Sequence, residues 1–235
     1  MTGLAGLEAF ANSDSRLRRL WTAVEREASH DAAHDVWHFR RVAAGARRLA
    51  SSDLDPVLVV AAGLVHDIVH VPKNSPLRAQ ASELSAARAS TLLLESGFAE
   101  ADAEAVAEAV RDHSWSRGKQ PSTPLGCLLQ DADRLEALGA VGLMRCIATG
   151  VSMGGTMFDP QDPFAADREL DDRHHSVDHV FVKLLKLPAT FTTETGRREA
   201  EHRADWLVAF LKQFSDEIGV PIPAHRMPRQ PRDET

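Results

Sequence analysis

The sequence predicts an all-α protein, and three observations support this prediction. Apolar residues recur at spacings of three and four and almost never alternate, which is the pattern of amphipathic helices rather than of strands. Prolines and glycines are concentrated in short stretches between these periodic segments. The 235 residues contain no internal repeat and no linker that would separate two folding units. We therefore expect a single-domain helical bundle.

The predicted helices follow one another along the chain. They cover about residues 14–29, 31–50, 55–70, 81–96, 100–114, 123–148, 167–187 and 193–217. Pro56 falls in a first turn, where proline is tolerated. The glycine-rich segment 149–164 predicts a loop that either closes over a substrate or simply connects two helices. We expect an N-terminal helix over 1–29 packed on a domain over 30–217, followed by a proline-rich flexible tail over 218–235.

The composition narrows the class of protein. A hydrophobic content of 43% with 26% charged residues is typical of a globular chain. A net charge of −7 argues against a partner that is a nucleic acid polymer. The two cysteines form no CxxC pair, which fits a reducing cytosol, and no apolar run reaches membrane-spanning length. We expect a cytoplasmic protein with no membrane partner, and the sequence leaves a homodimer open.

The segment AAGLVHDIVH, residues 61–70, places a histidine and an aspartate inside apolar sequence. An unpaired Asp67 buried there would carry a large desolvation penalty, so a cationic group is expected against it. His66 and Asp67 can meet one metal ion only if the helix presents both side chains at its rim. Neighbouring segments should then supply further ligands.

Two other helices carry such residues. HDAAHDVWHFRRV places His34 and His38 four residues apart on one helical face, and CLLQDADRLEALGA places Asp131 and Asp133 inside apolar sequence. A single buried histidine is more often a satisfied core or capping residue than a ligand. Three such helices together predict a metal site. Nitrogen and oxygen donors without thiolates suit Mn²⁺, Mg²⁺, Fe²⁺, Co²⁺, Ni²⁺ or Zn²⁺.

The order of these motifs resembles that of the HD-domain metal-dependent phosphohydrolase superfamily. The long segments RDHSWSRGKQPSTPLGCLLQDADRLEALGAVGLMR and DHVFVKLLKLPATFTTETGRREAEHRADWLVAFL resemble its YpgQ/YedJ-like branch, and the likeness spans about residues 30–215. The resemblance implies an HD-type helical bundle that binds a divalent ion, with Mn²⁺ as the expected metal. It implies four ligands, namely His38, His66, Asp67 and Asp133. Asp131 is the alternative ligand. Residues two apart on a helix point in different directions, so Asp131 and Asp133 cannot easily bind one ion together. If Asp133 is the ligand, Asp131 supports the ligands or faces the substrate.

The implied chemistry is hydrolysis of a phosphoryl group. A bound ion would acidify a water and polarise the phosphoryl group. Asp67 is expected to accept a hydrogen bond from that water, while His34, His70 or His113 would transfer the proton, and the sequence does not choose among them. Cations are also needed around the phosphate oxygens. The candidates are Arg41, Lys73, Arg117, Lys119 and Lys183.

The expected substrate is a small phosphorylated metabolite, above all a nucleotide. The resemblance favours hydrolysis of a (d)NTP to a nucleoside monophosphate and pyrophosphate. A nucleoside monophosphate phosphatase, another phosphoesterase, a non-catalytic nucleotide-sensing module and an HD-type iron oxygenase are the alternatives. Aromatic residues that could stack on a base are few in this chain, which has no tyrosine. The candidates are Trp37, Trp115 and Phe158.

Overall fold

The computed structural model describes residues 3–28, 35–71, 75–114 and 120–227, and these ranges fold mainly into α-helices. The all-α prediction is confirmed, because the described residues contain helices and one isolated β-bridge but no strand. The helices are α1 (Leu4–Ser13), α2 (Ser15–Glu27), α3 (Val36–Leu49), α4 (Pro56–Val65), α5 (Ala81–Glu95), α6 (Glu100–Asp112), α7 (Pro124–Leu135), α8 (Gly139–Ser152), α9 (Ser176–Val182) and α10 (Glu194–Ile218).

The chain divides into two compact units. The first unit comprises Met1–Glu136 and Thr192–Gly196, and the second unit comprises Ala137–Phe191 and Arg197–Thr235. The domain boundaries expected from the sequence, after residues 29 and 217, stay predictions. Among the described residues no single helix has the length and hydropathy of a membrane span.

The core of the first unit is built around α4, whose residues from Val59 to Val65 are all buried. This helix packs on α3, and the backbones of the two helices approach closely where Gly63 meets Ala43. A Cβ atom on Gly63 would lie 2.4 Å from the Cα atom of Ala43, so only glycine permits this crossing. The crossing brings the end of α4 against the middle of α3. Residues that follow Val65 therefore lie beside those of α3.

The predicted helix over 55–70 is too long. α4 ends at Val65, His66 caps it, and Asp67 lies in the following turn. The His66 ring lies 2.9 Å from the Gly63 carbonyl, which in a continuing helix would accept from the backbone N–H of Asp67. The HD pair thus stands at the end of a helix rather than inside it.

Two further boundaries in the second unit differ from the expectation. The segment expected as a loop from residue 149 is helical up to Ser152, where α8 ends. The helix expected over 167–187 is shortened to α9, and a 3₁₀ helix, Leu184–Thr190, follows it with Pro188 in its interior. Arg168, in the segment before α9, donates to the buried carboxylate of Asp178 at 2.9 Å.

The end of the described chain is also hydrogen-bonded. α10 ends at Ile218, close to the expected end of the domain. Arg226, within the tail expected to be flexible, donates to the carbonyl of Ala165 at 2.8 Å. The rest of that tail, from residue 228 onward, lies outside the described residues.

Candidate metal centre

Three buried histidines from different helices meet in the first unit. His38 lies in α3, His66 follows α4 and His113 follows α6. Their exposed fractions are 1%, 0% and 3%. The ring centroid of His66 lies 5.1 Å from that of His38 and 5.3 Å from that of His113. The fold therefore gathers three imidazoles that are far apart in the sequence.

Two of these rings have a defined tautomer. The Nδ1 atom of His66 lies 2.9 Å from the carbonyl oxygen of Gly63, and that of His113 lies 2.6 Å from the carbonyl oxygen of Val110. A carbonyl only accepts hydrogen bonds, so in both rings Nδ1 carries the proton and Nε2 carries the lone pair. Burial also lowers the pKa of His66 to about 4, which keeps this ring neutral near pH 7. Both rings thus present the form that binds metal.

The Nε2 atoms of His38 and His66 face each other. Their Nε2 atoms are 3.2 Å apart, and the Oδ1 atom of Asp133 lies 3.4 Å from the first and 3.7 Å from the second. Ligand atoms of His38, His66 and Asp67 also lie within 4.8 Å of one another. Imidazole nitrogens and carboxylate oxygens that converge at these distances are of the kind that ligate divalent ions. The donor set therefore fits a divalent metal ion.

The carboxylates define the open side of the centre. Asp67 and Asp133 have exposed side-chain fractions of 32% and 34%, whereas the histidines are buried. The Oδ1 atom of Asp67 also lies 3.6 Å from Nε2 of His113. Water and a substrate can thus approach from the side of the carboxylates, beside His113. The imidazoles form the buried side of the site.

Glu136 is the residue that the sequence prediction missed. Its Oε2 atom accepts a hydrogen bond from Nε of Arg41 at 2.7 Å and lies 3.4 Å from Nδ1 of His38. Burial raises the pKa of the Glu136 carboxyl, but the hydrogen bonds from His38 and Arg41 outweigh burial and hold this pKa below its usual value. Its position three residues after Asp133, one helical turn away, was the signal that could have revealed it.

Asp131 contacts a different part of the first unit. It is fully buried and accepts from the backbone N–H of Thr192 at 3.0 Å and of Thr193 at 2.7 Å. The hydroxyl of Thr193 donates to the same carboxylate at 2.7 Å. Both carboxylate oxygens are therefore engaged by the segment that precedes α10. This arrangement favours Asp133 over Asp131 as the ligand.

Three of the other predicted site residues lie in the described ranges, two in the first unit and one in the second. His70 is exposed at the end of the segment that follows the HD pair. Lys183 is exposed in the second unit, directly after α9. Arg41 is half-buried beside Glu136. Four predicted residues lie outside the described ranges, namely His34, Lys73, Arg117 and Lys119.

Comparison with known proteins agrees with this arrangement. The family model of the HD domain matches residues 36–138, a range that contains every member of the cluster. The chain is 31% identical over 193 residues to the uncharacterized protein YpgQ of Bacillus subtilis, which covers 80% of this chain and 85% of that protein.

Solved structures show the same likeness. The crystal structure of Bacillus subtilis YpgQ in complex with ADP superposes with a TM-score of 0.66 at 26% identity, over 90% of this chain and 98% of that one. An HD-superfamily hydrolase from Bacillus thuringiensis gives 0.66 at 30% identity, over 87% and 97%. An HD-superfamily hydrolase from an uncultured Thermotogales bacterium gives 0.59 at 30% identity, over 86% and 92%.

Proposed function

Because the chain belongs to the HD-domain family of metal-dependent phosphohydrolases, we propose that its substrate is a nucleoside or deoxynucleoside triphosphate, cleaved to the monophosphate and pyrophosphate. The observation that carries the proposal is the convergence of imidazole lone pairs and carboxylates at a rim that is open to solvent. The solved complex of the relative YpgQ with ADP supports a nucleotide as the ligand.

The proposed metal ligands are His38, His66, Asp67 and Asp133, with Mn²⁺ as the expected ion. When bound, a divalent ion lowers the pKa of a bound water and polarises a phosphoryl oxygen. The four ligand side chains would hold the ion in place. The His66 ring is itself oriented by its hydrogen bond to the Gly63 carbonyl.

His113 is the proposed proton acceptor. Its Nε2 atom lies 3.6 Å from Oδ1 of Asp67, at the open side of the cluster. Its proton is held on Nδ1 by the Val110 carbonyl, so Nε2 is ready to take another. His70 is exposed, whereas His113 is buried with a fixed tautomer, and His113 is therefore preferred to it. Arg41, at the edge of the site, is the proposed partner of a phosphate oxygen.

The deciding experiment uses purified protein that is stripped of metal and resupplied with Mn²⁺, Mg²⁺, Co²⁺, Ni²⁺, Fe²⁺ or Zn²⁺. Release of phosphate and pyrophosphate is measured from a panel of nucleotides and phosphoesters. Metal-dependent pyrophosphate from a triphosphate is the expected result. Orthophosphate from a monophosphate would instead indicate a phosphatase, and silence with every metal would favour a nucleotide-sensing module. Two irons per chain in the protein as purified would indicate an oxygenase. A cytoplasmic location and a homodimer stay predictions.

A further inference from the structure

We propose that Glu136 couples the metal ligand His38 to the phosphate-binding Arg41, so that a single buried carboxylate serves both halves of the site. This inference rests on the proposed function for the role of Arg41. Its basis is that one oxygen, Oε2, receives both contacts, from Nε of Arg41 at 2.7 Å and from Nδ1 of His38 at 3.4 Å. Any movement of this carboxylate must therefore affect both partners.

The arrangement is a pair of matched contacts between two helices. His38 and Arg41 are separated by one turn of α3, and Asp133 and Glu136 are separated by one turn at the end of α7. Nε2 of His38 lies 3.4 Å from Asp133, and Nε of Arg41 lies 2.7 Å from Glu136. The first contact involves two proposed metal ligands. The second links the same two segments one helical turn further along.

The two partners of Glu136 need it in different ways. For His38, the carboxylate accepts the Nδ1 proton and thereby keeps the lone pair on Nε2, towards the metal position. For Arg41, it holds Nε and leaves the two terminal nitrogens of the guanidinium to form a fork for phosphate oxygens. Glu136 is a positioning residue, since it acts through these two side chains.

The pair differs from the other arginine–glutamate contacts in the described chain. The glutamates of four other pairs are more exposed, and such pairs contribute little; the pairs are Arg40 with Glu25, Arg88 with Glu27, Arg111 with Glu83 and Arg203 with Glu199. Glu136, by contrast, is buried. A buried carboxylate depends more strongly on its donors than an exposed one does, because water cannot replace a donor that is lost. Loss of either His38 or Arg41 should therefore be felt at Glu136.

The test is a set of four proteins: wild type, Glu136→Gln, Arg41→Ala and the double variant. Glu27→Gln is the matched control, since it makes the same substitution in a surface pair with an arginine. Titration calorimetry measures binding of Mn²⁺ alone, and then of α,β-methylene-ADP at saturating Mn²⁺. Circular dichroism confirms that each variant is folded, and Glu136→Asp, which keeps the charge, tests rescue.

We expect Glu136→Gln to weaken Mn²⁺ binding about 10-fold to 100-fold, as is typical when the partner of a metal-bound histidine is lost. Arg41→Ala should weaken binding of the nucleotide analogue, and it should weaken Mn²⁺ binding less than Glu136→Gln does, because Glu136 keeps its contact with His38. In the double variant, nucleotide binding should be no weaker than in Arg41→Ala, because Glu136 acts on the nucleotide only through Arg41. Glu136→Asp should recover part of both affinities, and Glu27→Gln should match the wild type.

The proposal is overturned if folded Glu136→Gln binds Mn²⁺ as the wild type does, or if the two substitutions weaken nucleotide binding independently. A wild-type protein that binds Mn²⁺ but not the analogue also overturns it. Failure of the proposed hydrolytic function has a different signature. In that case the expected binding results are obtained, but no pyrophosphate is released from any triphosphate.

Discussion

The two histidine-rich regions of the chain contain the same residue types but use them differently. In the segment DDRHHSVDH of the second unit, Nδ1 of His174 lies 2.7 Å from Asp171, and Nδ1 of His179 lies 3.1 Å from Asp172. The side chain of His174 is 71% exposed. Each ring here meets a nearby carboxylate at the surface. Asp171 and Asp172 therefore each pair with a single histidine.

In the first unit, the rings of His66 and His113 use Nδ1 for a backbone carbonyl instead of a carboxylate. This leaves Nε2 of each ring to face the carboxylates of the site. Burial excludes water from these rings, so their Nε2 lone pairs need a partner from the protein or a metal ion. A high density of histidine and aspartate in a sequence is thus a weaker signal for a metal site than one such pair in apolar sequence.

The largest expected effect is the loss of metal binding in the buried cluster. His66→Ala should abolish detectable Mn²⁺ binding and reduce turnover by a factor on the order of 1,000, because it removes a central donor. His174→Ala, the matched change in the exposed cluster, should alter neither quantity. Calorimetry with Mn²⁺ and a pyrophosphate-release assay measure both. Loss of Mn²⁺ binding in His174→Ala would contradict the contrast between the two clusters.

The helices and the meeting of the HD pair with His38 could be predicted from the sequence, because apolar periodicity and buried polar residues are local signals. The end of α4 could not, since it depends on a ring-to-backbone hydrogen bond of His66. Glu136 was missed because a glutamate next to a helix end reads as a surface residue. Only the long-range contacts with Arg41 and His38 distinguish it.

The next effect concerns two buried carboxylates, one in each unit. Asp131 binds backbone N–H groups of the segment before α10, and Asp178 binds Arg168. Asp131→Ala should lower the free energy of unfolding by about 3 kcal/mol, because it leaves buried donors without an acceptor. The Mn²⁺ affinity of the folded protein should be unchanged. Asp178→Ala should destabilise similarly, as chemical denaturation would show.

This experiment also separates the two candidate ligands of α7. Asp131→Asn keeps the shape of the side chain and most of its contacts, so it should fold and bind Mn²⁺. Asp133→Asn should fold and bind Mn²⁺ weakly, because the donor beside His38 and His66 is lost. The reverse pattern would make Asp131 the ligand and Asp133 the supporting residue.

A smaller effect is expected at the two exposed tryptophans. Trp37 in the first unit and Trp206 in the second are 50% and 42% exposed. Trp37 lies one helical turn before Arg41, and the guanidinium of Arg40 holds its ring at 4.6 Å. If it stacks on the base, Trp37→Ala should raise the KM for a triphosphate about tenfold, consistent with the energy of one stacked base.

Inorganic tripolyphosphate, which has no base, separates stacking from damage to the site. Its turnover should be the same in Trp37→Ala and in the wild type. Trp206→Ala is the control and should leave both substrates unaffected. An equal loss for both substrates in Trp37→Ala would show that this residue supports the site rather than the base. The other two stacking candidates are less suitable for this test, since Phe158 packs on Phe214 and Trp115 lies outside the described residues.

A small effect on stability is expected outside both clusters, at the N-terminal cap of α2, and it sets the scale for surface contacts. Asp14 caps α2 by accepting from the backbone N–H of Arg16 at 2.8 Å and of Leu17 at 3.2 Å. The hydrogen bond from the Arg16 side chain is the largest cause that lowers the pKa of Asp14 to about 2. Asp14→Ala should therefore cost about 1 kcal/mol of stability at pH 7, a typical value for a helix cap.

The pH dependence of this cost follows from the direction of the shift. The pKa of Asp14 is lower in the folded protein than in the unfolded chain, so its stabilisation is complete above about pH 4 and disappears as the pH falls through about 2. Melting curves of wild type and Asp14→Ala should accordingly differ at pH 7 and converge near pH 2. The exposed pair of His174 and Asp171 should cost less than this cap when His174 is replaced by alanine. A larger cost would mean that the exposed cluster stabilises the second unit. The two clusters would then differ in metal binding but not in their importance for stability.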